Sequence, residues 1–423
     1  MGGTTFVGPT SAEVTSIFWN PAALGQLRSH HLYLSGVGRL DATEIARPAI
    51  DLSTGEPDPS GERTSLPTLA LTPTLFVGGV SDLHTPRFLL GVAVYQPHAE
   101  NLAESKSLAY HAAGGSLYTT VASFPIVVRV SGEIAIAFAP GVASSRIRLR
   151  FDRDLAIDTA CPKVAKQHER SECAQRYSMT SDFFGDTQFH YVAGLHLRKL
   201  LGSPWTFGLA YVSGLDFEKN GPVEVDGVEG ESRVSFRMPQ RVHFGVRYHL
   251  GRWELVSNLS WIDFSTHRDY DVRVAGIPVT RGAPEWQKRF RGFRDVLSFD
   301  VGAELQAAEW IQLAAKLRLE TSAVDTSLVT PAQMDAPKVE LALGGRVKIS
   351  PRTKLTVGYS LAVLADQDVS RSAFQPSAWD TCASSGFDLD SCASVREGRA
   401  LPTAAGTYSR MTHSLHAAIG LAW

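Results

Sequence analysis

The 423-residue sequence has no excess of either charge and no long apolar run. Its 41 Lys and Arg residues balance 43 Asp and Glu residues, for a net charge of −2, so a basic surface for nucleic acid is not indicated. No stretch approaches the roughly 18 consecutive apolar residues of a membrane-spanning helix. Hydrophobic residues still make up 44% of the chain, which excludes a disordered protein. A helical membrane protein is excluded, whereas a membrane β-barrel remains open because its strands alternate apolar and polar residues.

Enzyme motifs are missing as well. The sequence contains no Gly-x-Ser-x-Gly, His-Glu-x-x-His, phosphate-loop or Gly-x-Gly-x-x-Gly pattern. We therefore predict a protein that is not an enzyme, with no cofactor and no metal site.

Cysteine is scarce, and the four cysteines lie in two polar stretches. Cys161 and Cys173 occupy the first stretch, and Cys382 and Cys392 the second. Four cysteines allow three pairings, of which two local disulfides are the simplest; unpaired thiols are the alternative. Their spacing does not match a zinc site. Local disulfides would indicate an oxidising compartment.

The recurring feature is strict alternation of apolar and polar residues, which is typical of strands between two different environments. In residues 241–250 the apolar positions are Val242, Phe244, Val246, Tyr248 and Leu250. The polar side carries Arg241, His243, Arg247 and His249. Most such segments reach the roughly 9–11 residues that a tilted membrane strand requires. The fourteen predicted strands are 29–40, 66–80, 87–96, 116–130, 133–151, 186–200, 205–218, 231–250, 253–274, 296–306, 310–321, 338–350, 353–366 and 409–423.

The connections between these strands alternate in length. Short connections follow the even-numbered strands and most long polar ones follow odd-numbered strands, which is typical of outer-membrane barrels. Tryptophans near strand ends fit an interfacial girdle, namely Trp205, Trp253, Trp261 and Trp310. We therefore predict an all-β protein in the bacterial outer membrane. It is expected to be a monomeric, 14-stranded antiparallel transmembrane β-barrel over residues 29–423.

The last predicted strand ends on Trp423, in register with the apolar residues Leu415, Ile419 and Leu421. A terminal aromatic in this position resembles the signature that the outer-membrane barrel-assembly machinery reads. We expect that machinery, outer-membrane lipid and lipopolysaccharide to be partners of the chain.

Residues 1–28 do not alternate. They contain three bulky residues, Ile17, Phe18 and Trp19, followed by Asn20 and Pro21. Asn can cap a helix and Pro is tolerated at its first position, so a helical turn is predicted here. This segment is predicted to fill the barrel lumen as a hatch, with the three bulky residues as candidates for substrate contact. A disordered tail is the alternative, which the bulky residues disfavour.

Several motifs resemble the FadL/TodX-type outer-membrane transporters of long-chain fatty acids and other hydrophobic compounds. Residues 16–24 are similar to the Asn-Pro-Ala hatch motif of that family, and residues 90–97 to its third strand. Further similarities lie at 238–261, with a Pro, a Gly-x-x-Tyr and paired Trp, and at 330–345. The resemblance covers nearly the whole chain.

The resemblance implies passive uptake of fatty acids or of aromatic or alkane compounds. It implies that Asn20, Pro21 and Ala22 hold the hatch, and that Gly91 and Pro97 flank a kink in the third strand that opens the wall sideways. Gly weakens a strand interior and Pro removes a ladder hydrogen bond, so both residue types suit a gap.

Two alternatives remain at the level of sequence. The chain could be a porin or a structural, adhesin-like barrel, neither of which needs a hatch. The inward-facing charges could guide a carboxylate, although we predict that they form an ion-pair network in the lumen. These charges are Arg241, Arg247, Lys316, Arg318, Glu320, Glu340 and Arg346.

Overall fold

A computed structural model describes most of the chain. The described residues are 5–47, 64–102, 114–154, 176–199, 202–225, 227–266, 269–275, 286–290, 292–370, 404 and 406–423. The four cysteines, and with them the predicted disulfides, lie outside these ranges.

Strands dominate the described part of the chain, and helices are short. The strands are β1 (His30–Arg47), β2 (Thr64–Ser81), β3 (Phe88–Leu102), β4 (Gly114–Ser123), β5 (Ile126–Arg129), β6 (Ile134–Asp154), β7 (Arg176–Phe183), β8 (Thr187–Arg198), β9 (Trp205–Val212), β10 (Leu215–Val225), β11 (Val228–Met238), β12 (Arg241–Leu250), β13 (Trp253–Ile262), β14 (Asp269–Ala275), β15 (Trp286–Phe290), β16 (Val296–Ala308), β17 (Ile311–Glu320), β18 (Lys338–Ser350), β19 (Thr353–Leu364), β20 (Gln367–Val369) and β21 (Gly406–Ala422). The helices are α1 (Ser16–Trp19) and three 3-10 helices at Pro21–Gln26, Phe264–Thr266 and Thr326–Leu328.

The strands form one closed antiparallel barrel of fourteen spans. Seven spans are single strands, and seven consist of two consecutive strands separated by a short break: β4 with β5, β7 with β8, β9 with β10, β11 with β12, β13 with β14, β15 with β16, and β19 with β20. Each span pairs with the next in sequence, and β1 pairs with β21 to close the barrel. The predicted fourteen-stranded fold is confirmed.

Several spans run further than the sequence predicted, chiefly on the rim that carries the long loops. The segment predicted as 29–40 is β1, which continues to Arg47, and β7 precedes the segment predicted as 186–200. The extra residues lie beyond the apolar band, where both faces meet polar surroundings. The alternation of apolar and polar residues is therefore lost there, although the strands remain hydrogen-bonded to their neighbours.

The two faces of the wall differ as the alternation predicts. On β12, His243 and Arg247 are buried in the lumen while Phe244 is exposed on the outer face. Trp205, Trp253, Trp310 and Trp423 are all exposed near the rim of short turns, where an aromatic belt meets the lipid–water interface. No helix in the described ranges is long and apolar enough to cross a membrane.

Candidate functional site

The N-terminal segment lies inside the barrel, and Asn20 fixes its central turn. The Asn20 backbone is extended and its side chain caps the 3-10 helix Pro21–Gln26, accepting a hydrogen bond from the Ala22 N–H at 3.1 Å. The Asn20 amide donates to the Pro9 carbonyl at 2.8 Å and to the Leu195 carbonyl of β8 at 3.0 Å. Because Asn20 is fully buried, these bonds satisfy backbone groups that water does not reach.

Glycines in the wall make room for this turn. A Cβ atom on Gly194 would overlap Asn20, and one on Gly208 would overlap the Pro9 carbonyl. The wall and the inner segment therefore approach each other at backbone distance, as only glycine allows.

Basic side chains from the wall hold the rest of the segment. Lys316 Nζ donates to the Val7 carbonyl at 2.8 Å, and Arg247 donates to Ser11 Oγ at 3.1 Å. Arg346 forms an ion pair with Glu13.

Arg129 holds the end of the segment. Its guanidinium donates to the carbonyls of Gly25 at 2.8 Å and Leu27 at 2.5 Å, and also to Thr85 and Pro86 in the turn that follows β2. One buried arginine thus joins the inner segment to the rim of short turns.

Bulky residues of α1 form the floor of a cavity. Phe18 packs edge-on against Trp19 and Tyr95, with ring centroids 5.0 and 5.8 Å apart. Trp19 contacts His243 at 5.1 Å between centroids. Phe18 and Trp19 line the cavity, whereas Ile17 is fully buried beneath them.

The cavity above this floor, which we call the lumen cavity, has a volume of about 430 Å³. It lies toward the rim of long loops and has both apolar and charged walls. The apolar lining includes Phe18, Trp19, Val37, Leu117, Met238, Ile262, Phe264, Phe293, Met334 and Leu364. The charged lining includes Arg39, Asp41, Glu100, Arg241, Asp300, Arg318, Glu320, Lys338, Glu340 and Arg410.

Most inward-facing charges are paired with one another. Arg318 lies 3.2 Å from Glu340 and 3.6 Å from Asp300. Lys338 contacts Glu320 at 2.6 Å. Other pairs are Arg247–Glu304, Arg247–Glu254, Lys316–Asp300 and Arg39–Asp41.

Arg241 is different. Among the described residues its guanidinium has no ion pair and no hydrogen bond, and it lies over the Phe18 ring at 5.8 Å from the centroid. A second polar group nearby, the Nε2 atom of His243, is buried without a partner. The lumen cavity therefore has an unpaired cation at its floor, next to aromatic rings.

The wall beside the lumen cavity is incompletely paired. The ladder between β2 and β3 runs from Ser81↔Leu90 to Phe76↔Tyr95 and stops there in the described part of both strands. β1 and β2 remain paired as far as Arg47↔Thr64. We call the unpaired stretch, residues 69–75 of β2 and 96–102 of β3, the lateral gap. Both of its edges line the lumen cavity.

Pro97 lies at the start of the lateral gap, in a register shift between Tyr95 and His98 of the β3–β4 ladder. Gly91 lies lower, in the paired part of β3. A Cβ atom there would come within 2.7 Å of Val80 Cγ1 and 2.9 Å of the Gly79 carbonyl oxygen. Gly91 therefore permits close strand packing below the lateral gap.

Three residues at the lateral gap were not predicted from the sequence to have a role there: Pro73, Gln96 and Asn101. Leu75 N–H donates to the Gln96 side chain at 3.1 Å, and the Asn101 amide donates to the Leu71 carbonyl at 2.6 Å, so residues 71 and 75 direct their backbone groups at β3. Pro73 has the same parity and brings no N–H to that edge. The sequence does contain an indication of this unpaired edge, because proline within a sheet is found at edge strands. The same apolar strand carries two prolines, Pro67 and Pro73.

A second cavity of about 250 Å³ lies on the other side of the inner segment. Thr10 to Val14 form its roof, and Arg352 and Lys354 lie at the rim of short turns. The inner segment therefore separates two spaces within one barrel. No group of three or more His, Cys, Asp or Glu side chains suited to a metal ion occurs in the described ranges.

A sequence profile for outer membrane transport proteins (OMPP1/FadL/TodX) matches residues 3–395. The chain belongs to that family. No individual curated protein matches it in sequence.

Solved structures of similar fold include a Pseudomonas aeruginosa FadL homologue, with a TM-score of 0.76 at 13% identity over 99% of this chain and 96% of that one. The Pseudomonas putida toluene transporter TodX gives a TM-score of 0.67 at 11% identity, over 97% of this chain and 94% of that one. The Ralstonia pickettii toluene transporter TbuX gives 0.61 at 12% identity, over 100% and 96%. The predicted family, its transport role and the outer-membrane location are confirmed.

Proposed function

We propose that this member of the FadL/TodX family takes up hydrophobic molecules, collects them in the lumen cavity and releases them sideways through the lateral gap. Residues 1–28 act as the hatch that closes the lumen below the cavity. The observation that carries the proposal is that the lumen cavity, floored by Phe18 and Trp19, reaches the one described stretch where β2 and β3 are unpaired.

The lateral route follows from the cost of exposing apolar surface to water, about 25 cal/mol for each Å². A water-filled path through the hatch would impose that cost on the whole molecule. A path between two strands would deliver the hydrophobic molecule directly to lipid. The outer face of β2 presents the exposed leucines Leu69, Leu71 and Leu75 at this level, so the gap opens onto the apolar band.

Arg241 favours a substrate with a carboxylate head among the hydrophobic compounds carried by the family. Its guanidinium is half-buried and has no counter-ion at hydrogen-bond distance among the described residues, and a carboxylate would supply both the charge and the hydrogen-bond acceptors. The aromatic floor and apolar walls would receive the hydrocarbon part. Toluene, the compound that the transporters TodX and TbuX carry, would leave this cation unpaired.

The test compares oleate with oleyl alcohol, which has the same chain and no charge. In a host lacking its own uptake protein for hydrophobic compounds, Arg241→Met should lower oleate uptake by about tenfold or more, since a charged hydrogen bond is worth roughly 1.5–3 kcal/mol. Oleyl alcohol uptake should change little. Arg241→Lys, which keeps the charge, should retain most of the oleate uptake.

An equal effect on both probes would contradict the carboxylate assignment while leaving hydrophobic transport in place. The porin alternative makes the opposite prediction for the parent protein. Small hydrophilic sugars would then pass freely, and neither oleate nor oleyl alcohol uptake would depend on the protein.

A further inference from the structure

The lateral gap is crossed by two side-chain hydrogen bonds, one at each end of a short window. The lower bond joins Leu75 N–H to Gln96, one residue above the last rung at Phe76↔Tyr95. The upper bond joins Asn101 to the Leu71 carbonyl. Residues 71 and 75 are four apart, so the two bonds are about 13 Å from each other along β2.

Ordinary strand pairing cannot close this window. Pro73 lies midway between the two bonds, and its ring nitrogen has no hydrogen to donate toward β3. On the other side, the irregularity at Gln96 and Pro97 shifts the register of β3. Both edges are therefore built so that a continuous ladder does not form, and long polar side chains replace it.

The surroundings of the window differ on its two faces. Thr72 and Thr74 line the lumen cavity, and the Thr72 hydroxyl is buried without a partner. Leu71 and Leu75 face outward and are exposed. A molecule that leaves the cavity here passes from a polar inner edge to an apolar outer edge, between the Gln96 and Asn101 side chains.

We infer that Gln96 and Asn101 form a latch across the lateral gap, whose two hydrogen bonds set the size of molecule that leaves the barrel. The inference rests on the proposed lateral route. A slender alkyl chain fits between the intact bonds, whereas a bulky group requires at least one of them to break. The latch thus makes the exit selective by cross-section, independently of the head-group recognition at Arg241.

Each of the two latch hydrogen bonds can be removed by a substitution that keeps the side chain at a similar size. Asn101→Leu removes the donor and Gln96→Met removes the acceptor, while Gln96→Glu keeps an acceptor oxygen for the Leu75 N–H and is the matched control. The two probes are oleate, which is slender, and a pyrene-labelled decanoate, which is bulky. Heat-modifiable migration of each variant verifies that the barrel has folded.

We expect Asn101→Leu and Gln96→Met each to raise uptake of the pyrene probe by about fivefold relative to oleate, the factor that corresponds to one ordinary hydrogen bond. Gln96→Glu should keep the parent ratio. If both bond-removing variants keep the parent ratio of the two probes, the latch is wrong.

A cysteine pair separates this outcome from failure of the route itself. In the double variant Leu71→Cys, Asn101→Cys, oxidation should fix the upper end of the window, lower uptake of the pyrene probe below that of the parent and leave oleate uptake largely unchanged, and reduction should restore uptake of the pyrene probe. Each single-cysteine variant is the control. Undiminished uptake of the pyrene probe by the oxidised pair would overturn the lateral route, whereas lowered uptake in the oxidised pair with an unchanged probe ratio in the bond-removing variants would overturn the latch alone.

Discussion

The side chain of Asn20 alone makes three of the hydrogen bonds that hold the inner segment in place. One side chain caps a helix, ties the segment to Pro9 and ties it to the wall at Leu195. Removing it takes one hydrogen bond from the Ala22 N–H and one each from the carbonyls of Pro9 and Leu195. A lost hydrogen bond with a buried partner costs about 1–3 kcal/mol, which is small beside the barrel ladder.

Asn20→Ala should therefore loosen the hatch without unfolding the barrel. We expect backbone amides of residues 16–27 to exchange hydrogen about tenfold faster or more, corresponding to roughly 1.4 kcal/mol or more of lost local stability. Heat-modifiable migration should stay unchanged, and oleate uptake should change. Asn20→Ser, whose hydroxyl can still cap the helix at the Ala22 N–H but cannot reproduce both donated bonds, should fall between parent and Ala. Parent-like exchange in the Ala variant would contradict this role.

The role of Asn20 in the inner segment can be predicted from the sequence, whereas that of Arg129 cannot, and the reason is physical. The Asn-Pro pair acts on its own neighbours, so its cap can be recognised locally. Arg129 donates to Gly25, about a hundred residues earlier in the chain, and nothing near Arg129 indicates that partner. The unpaired state of Arg241 is likewise a property of the assembled lumen, since an inward arginine resembles its paired neighbours in sequence.

At the scale of elements, the hairpin of β1 and β2 joins the hatch to the wall. Asp82 follows β2 and accepts hydrogen bonds from the Ser29 N–H at 2.8 Å and the His84 N–H at 3.0 Å. These backbone donors, Ser29 first, hold the pKa of the Asp82 carboxyl below its usual range. The carboxylate thereby fixes the point at which the hatch ends and the barrel begins.

This arrangement predicts a loss of stability only in acid. A folded-state pKa below the unfolded value of about 3.9 gives stabilisation that is fully present above about pH 4.5. It is lost as the pH falls through the lower, folded-state value. Asp82→Asn should therefore show a smaller drop in the denaturant midpoint between pH 7 and pH 3 than the parent. Identical drops in the two proteins would rule out this contribution.

The strands themselves illustrate what periodicity can and cannot predict. All fourteen spans were visible as alternating segments because each separates lipid from lumen. The lateral gap was not visible in that pattern, because β2 alternates normally through it and only Pro67 and Pro73 indicate an unpaired edge. Pairing between neighbours is decided by backbone donors, whereas alternation reports only which face is apolar.

At the scale of the whole molecule, we expect the proposed hatch to determine whether the barrel conducts ions. A variant lacking residues 1–28 should fold as a heat-modifiable barrel, because the wall is closed by the β1–β21 ladder without the hatch. In planar bilayers it should give a steady ion conductance, since the two cavities become one water-filled passage. The parent should give none. Equal conductance in the two proteins would mean that the hatch does not seal the lumen.

The inner segment is synthesised before the strands that bind it, so it can dock only late in folding. Val7 is bound by Lys316, 309 residues further along, and Glu13 by Arg346. Such distant partners make docking slow, because a long stretch of chain must be ordered before the contact forms. We therefore expect the inner segment to dock only after β17 and β18, which carry Lys316 and Arg346, have joined the wall. A barrel in which β21 joins β1 before that docking would be an unsealed pore in the outer membrane, and it would leak until the inner segment is in place.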